Sequence, residues 1–251
     1  MKIAFITHYC THYRVNTYET LARHADVDFY FYSQGSEWHW LDQHGVQKGD
    51  FHYEYLPGFS LGGTRITPTL PLKLLKTDYD VYIKCINGRF VLPMTYAIAR
   101  IRQKPFVLWT GIWTRLQTIG HRLLFPFTQY LYRHSDAIVT YGEHVRRYLL
   151  EEGVSDNRIF VTRHAVDNTL YNRLIPEHEK TQLRDKLGIR QEQKVILYLG
   201  RLVPEKGIPY LVRAVADLSD DTVLIIAGTG PDQVQLESLA RDLGICNRVR
   251  F

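Results

Sequence analysis

Residues 199–207 are of the types best suited in this sequence to binding an anion. They read Leu-Gly-Arg-Leu-Val-Pro-Glu-Lys-Gly and lie between a predicted strand and a predicted helix. Arg201 offers two parallel donors to a phosphate, Lys206 adds a mobile positive charge, and Gly200 lets a ligand approach the backbone. Ligands of open α/β sheets bind where strands end, and a helix start there presents free N–H groups to anions. The segment therefore predicts a diphosphate site, with an ordinary turn bearing solvated cations as the alternative.

A second glycine-rich turn follows the next predicted strand. Gly228 and Gly230 flank Thr229, and Pro231 suits the first turn of a helix. Neither turn matches a familiar nucleotide motif: Glu205 stands where a Walker loop has glycine, and Gln233 stands at the third glycine position of a dinucleotide fingerprint. Two interpretations of the second turn stay open, a purely structural turn and a loop that packs near the ligand.

Aromatic residues follow a strand end in the first half of the chain. Trp109 and Trp113 enclose Gly111, which predicts a turn at the strand tip. At such a tip, the tryptophans either stack on a ligand in a cleft or pack in the core. His121 and His144 are the histidines nearest to predicted strand tips, and an isolated histidine is more often structural than catalytic.

Strands alternate with helices along the first two thirds of the sequence. The alternation predicts a parallel, doubly wound sheet, because each parallel crossover needs a helix to return the chain. We expect a Rossmann-like domain over residues 1–167, with loops at 34–50 and 57–63. The predicted strands are 2–7, 27–33, 51–56, 80–86, 105–110, 137–141 and 159–162, and the predicted helices are 14–24, 68–76, 89–102, 117–133 and 143–152.

A polar connection over residues 168–190, with a short helix at 181–187, leads to a second α/β domain over residues 191–251. Strands are predicted at 195–199 and 222–227 and helices at 208–218 and 231–243. Residues 247–251 read as the start of another strand, so we expect an incomplete domain whose sheet has an unpaired edge. The fold class is thus α/β with two Rossmann-like domains, the second partial.

Composition excludes several classes of protein. Hydrophobic residues make up 45% of the chain and charged residues 23%, as in ordinary globular proteins. The three cysteines, Cys10, Cys85 and Cys246, are far apart, which argues against a disulfide framework or a zinc site and favours a reducing compartment such as the cytoplasm. Neither a signal peptide nor a membrane-spanning run is recognisable.

The charge pattern indicates an anionic ligand or surface rather than nucleic acid. The net charge is +5, from 31 Lys and Arg against 26 Asp and Glu, and the basic residues form no stripe. Residues 121–133 combine large apolar side chains with flanking cations, a composition that suits an anionic membrane surface. Burial of the same segment in the core is the favoured interpretation, because a helix that is apolar on most sides is commonly buried.

Taken together, residues 200–207 and the turn at 227–231 resemble the donor-phosphate motif and the next glycine loop of the retaining glycosyltransferases of family 4, which have the two-domain GT-B fold. Residues 137–143 and 165–167 also occur where that family closes its first domain. The likeness covers most of the chain from about Pro105 onward and is specific at residues 200–207.

The resemblance implies transfer of a hexosyl group, with retention, from a nucleoside-diphosphate sugar to a saccharide or lipid-linked acceptor in cell-surface glycan synthesis. It implies no cofactor and no metal, since cationic side chains replace a divalent ion. Arg201 and Lys206 would stabilise the leaving diphosphate. The residues implied at the donor are Gly200, Arg201, Lys206, Gly228 and Gly230, and the acceptor-side candidates are His8, Tyr13, Arg14, Trp109, Gly111, Trp113 and His121.

Two departures from the family's pattern limit this prediction. The glycine-rich loop that many relatives carry after the first strand is replaced by residues 8–14, which read His-Tyr-Cys-Thr-His-Tyr-Arg. The paired glutamates of the family's second domain should lie beyond Phe251. We therefore expect a fragment that transfers sugar poorly by itself. The alternatives are a nucleotide-sugar epimerase and a non-catalytic module that binds sugar nucleotides or membranes.

Overall fold

Alternating strands and helices divide the chain into two units, residues 1–168 and 169–251. The computed structural model describes residues 1–33, 49–115, 119–170 and 172–251. The predicted domain boundary lay one residue earlier, and the predicted connection over residues 168–190 falls almost wholly in the second unit. Most of the predicted loop at 34–50, and the first two residues of the helix predicted at 117–133, lie outside the described residues.

A parallel sheet organises the first unit. Its strands are β1 (Lys2–Thr7), β2 (Asp26–Phe31), β3 (Tyr53–Tyr55), β6 (Val81–Cys85), β7 (Phe106–Thr110), β8 (Ala137–Thr140) and β9 (Ile159–Val161). The order across the sheet is β3-β2-β1-β6-β7-β8-β9, with Ile3 opposite Val27 on one side and Val81 on the other. Because β1 lies inside the sheet, its residues from Ile3 to Thr7 are all buried.

Helices pack on both faces of this sheet. They are α1 (Val15–His24), α2 (Thr69–Lys76), α3 (Val91–Ile101), α4 (Ile119–His134) and α5 (Glu143–Glu151). Tyr18 of α1 packs with Phe5 and Phe29 on one face. On the other face, side chains of α2 to α5 join one continuous core around Leu108. The helices return the chain to the same edge, so the carboxyl ends of all seven strands, with their connecting loops, lie together.

The predicted loop at 57–63 is instead part of a hairpin. Strands β4 (Phe59–Leu61) and β5 (Thr64–Ile66) pair antiparallel around Gly62 and Gly63, whose φ angles are 54° and 72°. Glycine adopts these angles without steric cost, so a two-residue turn is favoured. The prediction of a loop at 57–63 missed that these two glycines close a turn between paired strands.

A smaller parallel sheet forms the second unit. Its elements are α6 (Glu177–Lys186), β10 (Lys194–Leu199), α7 (Ile208–Ala216), β11 (Thr222–Ala227), α8 (Gln233–Asp242) and β12 (Val249–Arg250). The described strands follow the order β10-β11-β12, and α7 and α8 bury a core around Leu224 and Leu236. On β10, Leu197 and Leu199 are 62% and 79% exposed.

Two element boundaries in the second unit differ from prediction. Helix α6 begins at Glu177, four residues before the predicted start. The negative charges of Glu177 and Glu179 in its first turn interact favourably with the positive end of the helix dipole and so stabilise this earlier start. The predicted strand at 247–251 begins only at Val249, because residues Cys246–Arg248 form a 3₁₀ turn.

Candidate functional site

Two loops at the carboxyl ends of β10 and β11 are joined by backbone hydrogen bonds. The Gly200 N–H donates to the Ala227 carbonyl oxygen at 3.0 Å, and the Leu202 N–H donates to the Thr229 carbonyl oxygen at 2.9 Å. The Leu202 carbonyl oxygen accepts from the Asp232 N–H at 3.1 Å. These bonds continue the pairing of the strands beyond their ends. Residues 200–207 and 228–232 thus form one surface, the loop platform.

The two cations predicted to bind a diphosphate lie on the loop platform with exposed side chains. Leu202 and Val203, between them in sequence, are 0% and 3% exposed and anchor the loop in the core. Within the described part of the chain, neither Arg201 nor Lys206 takes part in an ion pair. Both charges therefore remain available to an anion, and the buried Leu202 and Val203 hold the backbone that carries them.

Close packing accounts for the two glycines of the second loop. A Cβ on Gly228 would lie 1.9 Å from the Gly200 carbonyl oxygen, and one on Gly230 would lie 2.2 Å from the Leu202 carbonyl oxygen. Any side chain at either position would push the loops apart. The structure therefore supports a packing role for both glycines beside Arg201. Direct contact of the second loop with a sugar-nucleotide donor stays a prediction.

Tyr198, on β10 next to the loop platform, is a site residue that sequence reasoning missed. Its hydroxyl donates to the Arg201 carbonyl oxygen at 2.9 Å, and a Cβ on Gly200 would lie 3.0 Å from that hydroxyl oxygen. Tyr198 and Gly200 are two positions apart on an extended strand and so face the same side. This period of two was the signal available in the sequence. The phenol therefore covers Gly200 and fixes the backbone that carries Arg201.

The start of α7 supplies fewer free donors than the sequence prediction assumed. Gly207 is the N-cap with a φ of 64°, and Pro209 in the first turn has no N–H. Electrostatic stabilisation of an anion at the loop platform therefore depends mainly on Arg201 and Lys206.

In the first unit, the structure brings Arg14 and Trp109 together. The Arg14 guanidinium donates to the Tyr141 hydroxyl at 3.1 Å and lies 5.8 Å from the Trp109 ring centroid. His164 stacks on Tyr141 with 3.6 Å between ring centroids, and its Nδ1 lies 3.4 Å from an Arg14 nitrogen. Burial lowers the pKa of His164, and the Arg14 charge lowers it further. The imidazole is therefore neutral at neutral pH and can accept a hydrogen bond from Arg14.

Tyr141 and His164 are the members of this group that the sequence analysis did not select as site residues. Tyr141 directly follows β8, and His164 lies three residues after β9. A position just after a strand was the sequence signal that could have identified them as site residues. Gly111, which was selected, packs against Tyr141: a Cβ there would lie 2.6 Å from its ring. A cavity of about 410 Å³ lies beside the group, between α1 and residues 162–165.

The remaining acceptor-side candidates are dispersed. The His8 ring lies 5.2 Å from the Tyr32 ring, centroid to centroid. Tyr13 is 40% exposed and Trp113 is 60% exposed, its ring meeting His144 edge-on. His121 lies on the exposed side of α4. Among the described residues, Arg14, Trp109 and Gly111 of the predicted acceptor set thus belong to one cluster.

A fully buried lysine lies at the end of β6, close to the same edge of the sheet. Lys84 Nζ donates to the Cys85 carbonyl oxygen at 2.6 Å, to the Asn87 carbonyl oxygen at 2.8 Å and to Asn87 Oδ1 at 3.2 Å. Tyr32 donates to the same Asn87 Oδ1 at 2.7 Å. Burial lowers the pKa of Lys84 to about 7. Through these hydrogen bonds Lys84 stabilises the turn after β6.

A cavity of about 650 Å³ opens between the starts of α3 and α4, and we call it the α3–α4 cavity. It is lined by residues 86–89 after β6, by residues after β7 and by one side of α4. The expected burial of residues 121–133 in the core holds for Leu131 and Tyr132 but not for four other apolar side chains of α4. Leu123, Leu124, Phe127 and Tyr130 are between 40% and 76% exposed.

Neither a metal site nor a membrane span is present in the described ranges. No three side chains of His, Cys, Asp or Glu are grouped there to hold a metal ion. Among the described helices, none combines the length and the apolar character that crossing a bilayer requires.

Fold and site together describe an α/β protein of two units with parallel sheets and a cationic loop platform on the second, the fold of GT-B glycosyltransferases. Residues 179–251 match the family model described as Glycosyl transferases group 1. The second unit is therefore similar to that group. An uncharacterized glycosyltransferase of Methanocaldococcus jannaschii is 39% identical over 75 residues, which are 29% of this chain and 19% of the relative. The chain thus spans about a fifth of that relative.

Solved structures share the fold over the whole chain. HepE of Anabaena, in complex with UDP and glucose, matches with a TM-score of 0.71 and 22% identity, covering 100% of this chain and 68% of HepE. UDP-N-acetylglucosamine 2-epimerase from Rickettsia bellii matches with a TM-score of 0.59 and 17% identity, over 100% of this chain and 68% of the epimerase. Because an epimerase shares the fold, the fold alone does not distinguish transfer from epimerisation.

Proposed function

We propose that this protein transfers a hexosyl group, with retention of configuration, from a nucleoside-diphosphate sugar to a saccharide or lipid-linked acceptor. The observation that carries the proposal is the pair of exposed cations, Arg201 and Lys206, on a backbone held by hydrogen bonds to the neighbouring loop. The match of residues 179–251 to group 1 glycosyl transferases supports transfer rather than epimerisation.

The chemistry of such a platform is electrostatic. As the bond between sugar and phosphate breaks, negative charge grows on the departing diphosphate. Arg201 and Lys206 are held in place before the reaction, so they stabilise this charge more in the transition state than in the ground state. The Tyr198 hydroxyl, bonded to the Arg201 carbonyl oxygen, keeps the backbone of Arg201 in position.

On the acceptor side, we assign the cluster of Arg14, Trp109 and Tyr141 to binding the acceptor. Tryptophan and tyrosine rings present faces on which a sugar stacks, and the Arg14 guanidinium lies against both rings. The exposed apolar residues of α4 support the prediction of peripheral association with an anionic membrane.

Calorimetric titration of UDP, GDP and ADP into the 251-residue chain tests the donor site. We expect Arg201→Ala and Lys206→Ala each to weaken binding of the preferred diphosphate by about tenfold or more, since each removes a charge-assisted hydrogen bond. Arg213→Ala is the matched control, because Arg213 is exposed on α7 outside the loop platform. Equal affinities for the Arg201 and Arg213 variants would remove the assignment.

Product analysis separates the two enzyme classes. Incubation with a nucleoside-diphosphate sugar and no acceptor should leave the sugar's configuration unchanged, whereas an epimerase would convert it. In transfer assays we expect Arg201→Ala to reduce turnover by a factor on the order of a hundred, as loss of one preorganised donor does elsewhere. The anomeric configuration of the product, read by NMR, tests retention.

A further inference from the structure

The α3–α4 cavity is apolar inside. Leu92 of α3 and Leu124 and Phe125 of α4 contribute to its walls, together with Ile86 and Ile112 from the ends of β6 and β7. Its volume of about 650 Å³ lies within the range of ligand sites. The cavity also opens where ligands of parallel sheets bind, at the carboxyl ends of strands. An apolar group that enters it is removed from water, which is favourable in proportion to the apolar area buried.

The rim of the cavity is positively charged. Arg89, on the turn after β6, is exposed and forms no ion pair with a described residue. Arg115 also lines the cavity, but its Nε lies 2.8 Å from Glu152, which neutralises its charge. None of the described lining residues is acidic. The free charge at the mouth is therefore that of Arg89, and it favours an anion.

We propose that the α3–α4 cavity binds a phosphorylated amphiphile, with an alkyl or isoprenoid chain in the cavity and the phosphate at Arg89. The proposal rests on the proposed function only in that the amphiphile would then be the acceptor. An apolar cavity with a single cation at its mouth matches the two ends of such a molecule. A free sugar would fit less well, because its hydroxyl groups would lose water and find no hydrogen-bond partners on the apolar walls.

Titration of decyl phosphate below its micelle concentration, without nucleotide sugar, tests the chain-binding part. We expect saturable binding to the 251-residue protein. Leu124→Gln should weaken it by about tenfold, because a polar side chain replaces part of the apolar wall. Leu123→Gln is the matched control: Leu123 is the preceding residue on α4, is 76% exposed and does not line the cavity.

A second pair of variants tests the phosphate. We expect Arg89→Gln to weaken binding of decyl phosphate by about tenfold while leaving that of uncharged decyl maltoside unchanged. Arg122→Gln, on exposed α4 outside the cavity lining, should alter neither affinity. Inorganic phosphate alone should bind far more weakly than decyl phosphate, because it lacks the chain.

Gly120→Leu places a side chain in the cavity at a position with space for it. Gly120 lines the cavity, and an added Cβ would meet no atom of the described residues within 4 Å. Leucine also has a higher helix propensity than glycine. We expect this variant to melt no lower than the natural protein and to bind decyl phosphate about tenfold more weakly, since its side chain occupies the mouth.

Several outcomes would overturn the proposal. These are absence of decyl phosphate binding, equal losses for the Leu123 and Leu124 variants, or equal losses for the Arg89 and Arg122 variants. Binding to anionic vesicles without binding of monomeric decyl phosphate would assign α4 to a membrane surface instead. UDP titration of the same samples reports the loop platform separately, so failure of one site is distinguishable from failure of the other.

Discussion

Lys84 shows how a single residue acquires its properties from its surroundings. It is the fourth residue of the pattern Val-Tyr-Ile-Lys-Cys, where alternation places it with Tyr82 at the buried positions of β6. Its side chain is 0% exposed, and its ammonium group is held by three oxygen atoms within 3.2 Å. Burial lowers its pKa to about 7, and the nearby Cys85 opposes this shift.

Lys84 should make stability depend on pH. Between the folded pKa of about 7 and the ordinary value of 10.5, the unfolded chain binds a proton that the folded chain does not. The free energy of unfolding therefore rises with pH in this window, by at most about 1.4 kcal/mol per pH unit. Relative to Lys84→Met, we expect the natural protein to gain about 2 kcal/mol between about pH 7 and about pH 9, measured by urea unfolding.

The matched control for this experiment is Lys76→Met, a lysine exposed on α2. Its stability profile should follow that of the natural protein. Parallel profiles for the natural protein and the Lys84 variant would show that Lys84 is protonated equally in both states and would refute the prediction.

At the scale of elements, the loops after β10 and β11 act as one unit because they approach closely. Gly228 faces the Gly200 carbonyl oxygen, whereas Gly200 faces the hydroxyl end of Tyr198. The Gly200 backbone is held by the hydrogen bond from its N–H to the Ala227 carbonyl oxygen and has little freedom to move, while a tyrosine hydroxyl can turn aside. The two glycines should therefore differ in their tolerance of a side chain.

We expect Gly228→Ala to destabilise the second unit by about 2 kcal/mol, because the added Cβ would overlap the Gly200 carbonyl oxygen. It should also weaken binding of a nucleoside diphosphate by displacing Arg201. Gly200→Ala is the matched substitution and should cost less, since only the Tyr198 hydroxyl must shift. Urea unfolding and UDP titration measure both effects. A smaller loss for Gly228→Ala than for Gly200→Ala would contradict the packing argument.

At the scale of the whole molecule, the chain consists of two units with separate cores. The core around Leu108 belongs to residues 1–168, and the core around Leu224 belongs to residues 169–251. Residues 162–166 and 172–176 are exposed throughout. A segment with so little burial opens easily and is accessible to a protease.

Brief trypsin digestion should therefore cut the chain first after Arg173, whose side chain is 65% exposed. Mass spectrometry should find fragments of residues 1–173 and 174–251 before smaller products. Arg173→Gln should delay the appearance of this pair. Early cleavage within α7 or α8, with residues 162–176 intact, would show that the second unit is less stable than its core indicates.

Most of the fold followed from the sequence. Strands β1 and β11 have the predicted bounds, and α3, α5 and α7 differ from prediction only at their ends, because apolar periodicity and stop signals are local. The hairpin of β4 and β5 did not follow, since a pair of glycines marks either a turn or a flexible loop. Its strands had no strong apolar alternation to decide between them.

The sequence by itself determined the parallel α/β architecture and the two cations of the loop platform, because strand spacing and residue type are properties of the chain. Only the tertiary structure decided that Gly228 and Gly230 fit against the neighbouring loop, that Tyr141 and His164 join Arg14, and that Lys84 is held by three oxygen atoms. The contacts of Gly228, Gly230 and Arg14 join residues from different loops and strands, and the burial of Lys84 depends on the elements packed around β6. Their distances depend on how the sheet twists and the helices pack, which no local pattern encodes.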